Sequence, residues 1–462
     1  MLSKEDNELL TRVGPGTAMG DTLRQYWIPA LLISELLERD GPPVRVRLVG
    51  EDLIAFRDSA GRVGMLGDHC AHRGASLFFG RNEDGGLRCV YHGWKYDVEG
   101  RCMDMPNEPP ESNPSTGSGQ AFKDKIRHCA YPCREAGGII WTYMGTRTEL
   151  PPFPELEYTG LPESQVMLQK RLQYCNWVQG LEGDIDQSHV GFLHSRVPEH
   201  APFTPEEAAS YKSMERYYKR IDRRPRYSMV DTEYGLMGCA TRSAGGDEAY
   251  YRVTHFLMPF HTITPPGAEA DPSRSIRAWV PMDDETVMVY GVSYRPTRPF
   301  EEQEYQRLKT GAGANWVGED HLLPPTSEAT GRWRPRASKQ NDYFMDRELQ
   351  KSGPYTGITE FWAQDAAVQE SMGGIYDRST EHLGTSDAFI IRMRRRLVDA
   401  ATALRDGGII PPGVDEPTAY RVRSVQVVSP KDVPWTDATR ELIRVVPGTN
   451  PGGATLGLLR EA

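Results

Sequence analysis

The 462-residue sequence predicts an α+β chain in two parts. A small all-β domain with a helical N-terminal segment is expected over residues 1–150, and an α+β domain with an antiparallel sheet flanked by helices over residues 151–462. Three observations predict this. Two loops that mix cysteine and histidine, Cys70-Ala71-His72 and Cys89-Val90-Tyr91-His92, are set among short runs of strand-like residues. Pro151-Pro152-Phe153-Pro154 interrupts the chain where those runs end. Beyond it, helix and strand patterns are mixed, which favours helices packed beside an antiparallel sheet.

The elements follow in order. Residues 9–35 read as an amphipathic segment containing Gly14-Pro15-Gly16 and Tyr26-Trp27. Val44, Val46 and Leu48 alternate with Arg45 and Arg47, the pattern of a half-buried strand, which stops at Gly50. Leu53–Phe56 is a second strand, Asp58-Ser59-Ala60-Gly61 a turn, and Val63–Leu66 a third strand that runs into the first Cys/His loop. Leu87–Tyr91 leads into the second loop, and Tyr96–Val98, Glu99-Gly100 and Arg101–Met103 form a hairpin after it. Both loops are therefore expected at the tips of adjoining hairpins. Residues 105–120, rich in Pro, Ser, Gly and Asn, read as an exposed loop, and Ile139–Tyr143 closes the β-domain. In the second domain Val178–His189 is helical in pattern. Tyr250–Leu257, Ser275–Val280 and Thr286–Ser293 are antiparallel strands, the last two turning at Asp283-Asp284. The Gly/Pro-rich stretch from Gly311 to Lys339 reads as a lid or a partner-contacting loop. A helix from a Thr385-Ser386 cap to Gly407 buries Phe389, Ile390, Met393, Leu397, Ala401 and Leu404, leaving Arg392, Arg394, Arg395 and Arg396 on a solvated or subunit-facing surface.

Composition narrows the partners. Hydrophobic residues make up 38% and charged residues 26%, and the formal net charge is −10. An acidic chain does not neutralise phosphate, which argues against a nucleic acid or an anionic membrane as partner. No apolar run approaches the ~20 residues of a membrane span. Glu5, Asp6 and Glu8 stand where a signal peptide would carry its apolar core, so secretion is not expected and a cytoplasmic location is. Of seven cysteines, the five outside the two loops (Cys102, Cys129, Cys133, Cys175, Cys239) follow no disulfide framework and read as reduced thiols.

Each loop offers one thiol and one imidazole. Cys70 and Cys89 on one iron and His72 and His92 on the other give Rieske ligation of a 2Fe–2S cluster, in which two neutral histidines replace two thiolates. Zinc also accepts two Cys and two His, but zinc fingers usually segregate the two residue types into separate loops.

A second constellation lies downstream, Asp186-x-x-His189-x-x-x-x-His194. On a regular helix Asp186 lies about 60° from His189, and Glu182 about 20° from it. His194 would lie about 140° off, so a break or bulge near Gly191 is needed to bring it back. Two imidazoles and one carboxylate form the facial triad of non-haem Fe(II), with positions left open for dioxygen. Asp365, early in a short helix after Phe361-Trp362, is the favoured carboxylate; Glu370 is next and Glu182 last.

With these residues in place, the chain resembles the large (alpha) oxygenase subunit of the Rieske non-haem iron aromatic-ring-hydroxylating oxygenases, and within that family the phthalate 4,5-dioxygenase type. The resemblance runs over nearly the whole length. It includes Gly14-Pro15-Gly16-Thr17, Arg24-Gln25-Tyr26-Trp27, both cluster loops, Tyr131-Pro132-Cys133-Arg134-Glu135, the Asp186–His194 segment, Asn341-Asp342-Tyr343 with Asp346-Arg347, and Gln364-Asp365 through Glu381-His382-Leu383-Gly384. It implies an all-β Rieske domain followed by an α+β catalytic domain. It implies a cluster on Cys70, His72, Cys89 and His92 and mononuclear Fe(II) on His189, His194 and Asp365. It also implies that Asp186 bridges His189 to His92 of the partner subunit, in a homotrimer or a hexamer of stacked trimers.

The activity so implied is O2-dependent hydroxylation, by cis-dihydroxylation, of an aromatic and carboxylated substrate. O-demethylation or aryl-ether cleavage by a monooxygenase is the alternative, since one metal site serves both. Gly311-x-Gly313 lacks the third glycine and the βαβ setting of a dinucleotide site, so electrons from NADH must come through a separate flavin/iron–sulfur reductase. Arg226 and Arg252 are candidates to hold a substrate carboxylate. A protein that only transfers electrons would lack a use for the Asp186/His189/His194/Asp365 set.

Overall fold

The computed structural model describes residues 2–108, 122–197, 214–267, 271–311 and 316–449. The N-terminal segment forms two short helices, α1 (Lys4–Thr11) and α2 (Ala18–Leu23). Their first turns are capped by the hydroxyls of Ser3 and Thr17, which accept from the backbone N–H groups of Asp6 and Gly20. The run that follows, Trp27–Leu32, is strand β1, buried along its whole length. Alternation marks only half-buried strands, so an apolar run covered on both faces carries no such signal in the sequence.

Strands β2 (Val44–Leu48), β3 (Glu51–Arg57) and β4 (Val63–Gly67) follow, then β5 (Arg81–Glu83), β6 (Gly86–Arg88), β7 (Lys95–Tyr96) and β8 (Cys102–Asp104), and finally β9 (Ala130–Tyr131), β10 (Cys133–Ala136) and β11 (Ile139–Tyr143). They make three antiparallel sheets, ordered β2-β3-β4-β9, β5-β6-β7-β8 and β1-β11-β10. Only the second Cys/His loop is a hairpin tip, between β6 and β7. The first crosses from one sheet to another, because β4 already has β3 and β9 as neighbours and cannot pair with β5. From residue 109 to 121 the loop expected over 105–120 lies outside the described residues.

The second part is built on one antiparallel sheet of eight strands: β12 (Val166–Gln173), β13 (Arg226–Thr232), β14 (Gly235–Gly245), β15 (Glu248–Leu257), β16 (His261–Thr264), β17 (Arg274–Pro281), β18 (Val287–Tyr294) and β19 (Gln426–Pro430). The order is β12-β18-β17-β16-β15-β14-β13, and β19 pairs with the start of β15. Helix α3 (Trp177–Ile185) lies against β16 and β17. Helices α4 (Met214–Ile221), α5 (Glu302–Lys309), α6 (Arg347–Ser352), α7 (Phe361–Ser371), α8 (Ala388–Gly407) and α9 (Trp435–Thr439) complete the chain. One core runs from Leu10, Trp27 and Trp141 to Trp177, Trp279 and Phe389, joining the β1-β11-β10 sheet to the large one. Each such side chain contributes roughly 1.5–3 kcal/mol. The cluster loops have a smaller core of their own, with Phe56, Leu77, Leu87, Trp94 and Tyr96 around Cys70 and Cys89.

Three sequence expectations change. The helix expected over Val178–His189 ends at Ile185; Asp186 is extended (φ −69°, ψ 113°), and His189–Gly191 is a 3₁₀ turn. The Asp186 carboxylate accepts the Ser188 N–H at 2.6 Å, a local bond that competes with the helix. Of the stretch expected as a lid or a partner-contacting loop, residues 316–339 are pinned at two points, which speaks against a lid: Trp316 Nε1 donates to Ser293 Oγ at 3.0 Å, and Trp333 Nε1 to Glu35 Oε1 at 2.9 Å. Arg394 of α8 is buried rather than solvated, paired with Glu182 and Glu381, while Ile390 and Leu404 are only half-buried.

Glu182 also binds Arg378, which is fully buried. Glu182→Ala would leave the buried Arg378 without its carboxylate and Arg394 with Glu381 alone, and thermal or denaturant unfolding should show a loss of about 3–5 kcal/mol.

Candidate metal centres

The two Cys/His loops repeat one turn. Gly74 N–H donates to Cys70 O (2.8 Å) and Gly93 N–H to Cys89 O (3.0 Å), each glycine at positive φ (73° and 79°). A side chain at position 93 would also strike Pro106, its Cβ 2.5 Å from Cγ. The turns bring both thiols into the small core and set the His72 and His92 rings 4.4 Å apart. Trp94 stacks on His72 at 4.4 Å, and Tyr96 Oη lies 3.2 Å from Cys70 Sγ. His72 Nδ1 is buried with no hydrogen-bond partner among the described residues, and burial raises the Cys89 thiol above its usual range. Two buried sulfurs beside two converging imidazoles fit a metal cluster, which would convert the thiols to thiolates and use the orphaned nitrogen.

The second group comes from three segments. His189 stands on the 3₁₀ turn, His194 on the irregular backbone after it, and Asp365 on α7. His189 Nε2 and His194 Nε2 are 3.1 Å apart, and Asp365 Oδ1 is 3.5 and 3.3 Å from them. Burial alone would raise the Asp365 carboxyl, but His194, His189 and Arg277 hold it below the usual carboxylate range. Three electron-pair donors converging in one partly buried place repel each other unless a cation lies between them, so the set fits a metal ion. Asp186 Oδ2 is 3.5 Å from His189 Nδ1, a long approach that a small side-chain shift would close. Its side chain remains 20% exposed.

The other carboxylates are occupied elsewhere. Glu370 accepts from Tyr343 Oη at 2.7 Å and from the Tyr174 N–H at 3.2 Å, and Glu182 is held by its two arginines. Neither joins the convergent group.

Sequence reasoning missed Gln364. Its Nε2 donates to Ile358 O at 2.8 Å, which turns Oε1 to His194 Nδ1, also at 2.8 Å. A carbonyl oxygen there makes Nδ1 the protonated nitrogen and leaves the Nε2 lone pair facing His189 and Asp365. Phe361 stacks on the same ring at 3.8 Å. Gln364 and His194 are 170 residues apart in the chain, and no spacing rule links them. Gln364→Leu should weaken metal affinity by about 10–100-fold, read by competition with a chelator, while Gln364→Glu retains an acceptor and most of the affinity.

A cavity of about 480 Å³ opens on this group. The described residues lining it carry seven cations, Arg171, Arg252, Arg274 and Arg277 from the sheet and Lys219, Arg220 and Arg223 from α4 and just beyond, against Asp184, Asp186 and Asp365. Arg252 is therefore in the cavity wall, where its Nη1 donates to Gln187 Oε1 at 3.1 Å. Arg226 is not: it is exposed at the start of β13 and absent from the described lining.

A β-domain with a Cys₂His₂ loop pair, joined to a large antiparallel sheet beside which a turn, an irregular segment and a helix bring together two histidines and one carboxylate, defines an iron–sulfur oxygenase. Comparison with known proteins agrees. Residues 26–125 match the family described as Rieske 2Fe-2S domain, and residues 142–447 the family described as LigXa C-terminal domain like. The chain is 42% identical to the 3-chlorobenzoate-3,4-dioxygenase oxygenase subunit of Comamonas testosteroni, covering 96% of this chain and 99% of that one. It is 36% identical to the phthalate 4,5-dioxygenase oxygenase subunit of Pseudomonas putida, covering 95% and 94%. Among solved structures, the QL mutant of NdmA from Pseudomonas putida CBB5 with caffeine shares the fold with a TM-score of 0.56 at 18% identity, covering 87% of this chain and 95% of that one. The chain belongs to the Rieske non-haem iron oxygenases, as a large oxygenase subunit of the phthalate 4,5-dioxygenase type. It is an oxidoreductase, the terminal oxygenase of a multicomponent system, with a Rieske 2Fe–2S cluster and a mononuclear iron as cofactors.

Proposed function

We propose that this oxygenase cis-dihydroxylates an aromatic carboxylate. The cationic cavity that opens on His189, His194 and Asp365 carries this reading. The two relatives above, which match this chain over 94% or more of their own length, are named for 3-chlorobenzoate and phthalate. Cys70, His72, Cys89 and His92 hold the cluster, within a Rieske domain ending near residue 150, and His189, His194 and Asp365 hold the iron in the domain that follows. When bound, the cluster supplies single electrons and the iron activates dioxygen.

The remaining work falls to the chain itself. Arg252 and the other cations of the cavity wall make it attractive to a substrate carboxylate, and Trp279 and Phe361 give the ring apolar walls. Gln364 fixes the His194 tautomer; Asp186 Oδ2, after the small shift that closes its 3.5 Å approach, accepts the Nδ1–H of His189 and, across a subunit boundary, an N–H of His92 of the partner subunit. The exposed apolar groups beside both centres, Phe79, Val90 and Tyr91 near the cluster loops and Phe192 and Phe361 near the metal ligands, support a homotrimer or stacked trimers in which these faces are covered. The electron donor is a separate NADH-dependent flavin/iron–sulfur reductase. No described helix is long and apolar enough to cross a membrane.

The test is product identification after incubation with a reductase, NADH and a panel of benzoates and phthalates, alongside iron analysis. A cis-dihydrodiol and about three irons per chain are expected. A protein that takes up only the cluster iron and consumes no substrate would be an electron carrier instead.

A further inference from the structure

We propose that Arg171 is the principal carboxylate anchor of the cavity, gripping the aromatic acid on the Asp365 side of the metal centre. This deepens the functional reading above and rests on it.

Arg171 lies on β12 and is 3% exposed, yet it lines the cavity together with the three metal-site residues. Among the described residues its Nε has no hydrogen-bond partner and its guanidinium makes no hydrogen bond or ion pair. The Trp279 and Trp362 rings stand 5.7 and 5.9 Å from Cζ, and as π faces they offer no oxygen acceptor. The neighbouring cations are differently placed. Arg277 pairs with Asp184, Arg252 donates to Gln187, and Arg274 donates to Ser424 O at 3.2 Å.

A buried guanidinium without acceptors is costly, and a protein retains one where a ligand completes it. Asp365 is near enough to act on Arg171 through its charge, but its oxygen is turned to the two histidines. Once a divalent metal sits there, that negative charge is more than matched; Glu370, the other carboxylate whose charge reaches Arg171, has its oxygens bonded to Tyr343 and the Tyr174 N–H, so the guanidinium still lacks an acceptor. A carboxylate supplies the two coplanar acceptors that a guanidinium fork fits, in a place where water competes poorly. An uncharged carboxamide of the same shape offers one neutral acceptor in place of two charged ones, so Arg171 selects for acids as well as holding them.

The test uses the iron- and cluster-loaded protein, with equilibrium binding of 3-chlorobenzoate and of its uncharged isostere 3-chlorobenzamide to wild type, Arg171→Met and Arg171→Lys. Arg171→Met should weaken the acid by about 30-fold and the amide by less than about threefold, with Arg171→Lys in between. Iron content and cluster spectrum should stay at wild-type values. Equal losses for both ligands, an unchanged affinity for the acid, or loss of iron in both variants would overturn the assignment. If wild type itself prefers the amide, the aromatic-acid reading falls and takes the anchor with it. If wild type prefers the acid and Arg171→Met keeps that preference, only the anchor falls.

Discussion

Asp365→Ala is expected to abolish product formation, by more than about 1,000-fold, while the visible spectrum of the cluster is unchanged. The carboxylate oxygen is the third corner of a group whose other corners are 3.5 and 3.3 Å away, and its neighbours are already committed. Glu370 is tied to Tyr343 and Glu182 to Arg378 and Arg394, so neither of the other two carboxylates the sequence offered as third ligand can swing in as a substitute. Two imidazoles alone hold a divalent metal weakly, and iron analysis should show the loss directly. His194→Ala should behave alike. Retained iron and turnover in Asp365→Ala would place the third ligand elsewhere.

Asp186→Asn is expected to keep the fold, the cluster and most of the iron, yet to slow reoxidation of the pre-reduced protein by roughly 100-fold in single turnover with substrate and dioxygen. Asp186 Oδ1 is held by the Ser188 N–H, which leaves Oδ2 to face His189 Nδ1. An amide can preserve the first contact but offers a neutral, weaker acceptor or a donor at the second. Because its side chain is partly exposed, the carboxylate is within reach of a partner subunit. Single turnover separates this step from reduction by the donor protein. Wild-type kinetics in the variant would reduce Asp186 to an ordinary neighbour of His189, and an active monomer would remove the cross-subunit route.

What could be read before the structure was local chemistry. The two Cys/His loops carry their spacing in the sequence, and β15, β17 and β18 show in runs of strand-forming residues near their observed bounds. Asp186 and His189 do face each other, but the helical geometry that suggested it is absent, since the chain leaves the helix at Ile185. What sequence could not show was contact at long range: Gln364 against His194, Arg394 against Glu182, or the first cluster loop crossing between sheets. Arg226 and Arg252 look equivalent on paper; strand register and the fold of the sheet put one outside and one in the cavity wall.

The irregular backbone after α3 has a consequence for durability. From Ser188 to Ser195 the main-chain bonds are mostly short turns that close on themselves, Gly191 to Ser188 and Phe192 to His189 among them, while the sheet beneath is bonded strand to strand. A metal tying His189 and His194 to Asp365 on α7 therefore fastens two distant segments where hydrogen bonding is thin, and part of its binding free energy goes into ordering that strip. Iron release is then a local unfolding event, able to proceed while the sheet and the cluster loops stay intact. The enzyme's working lifetime is therefore expected to follow how often this clasp opens, read as the rate of iron loss to a chelator, rather than its melting temperature.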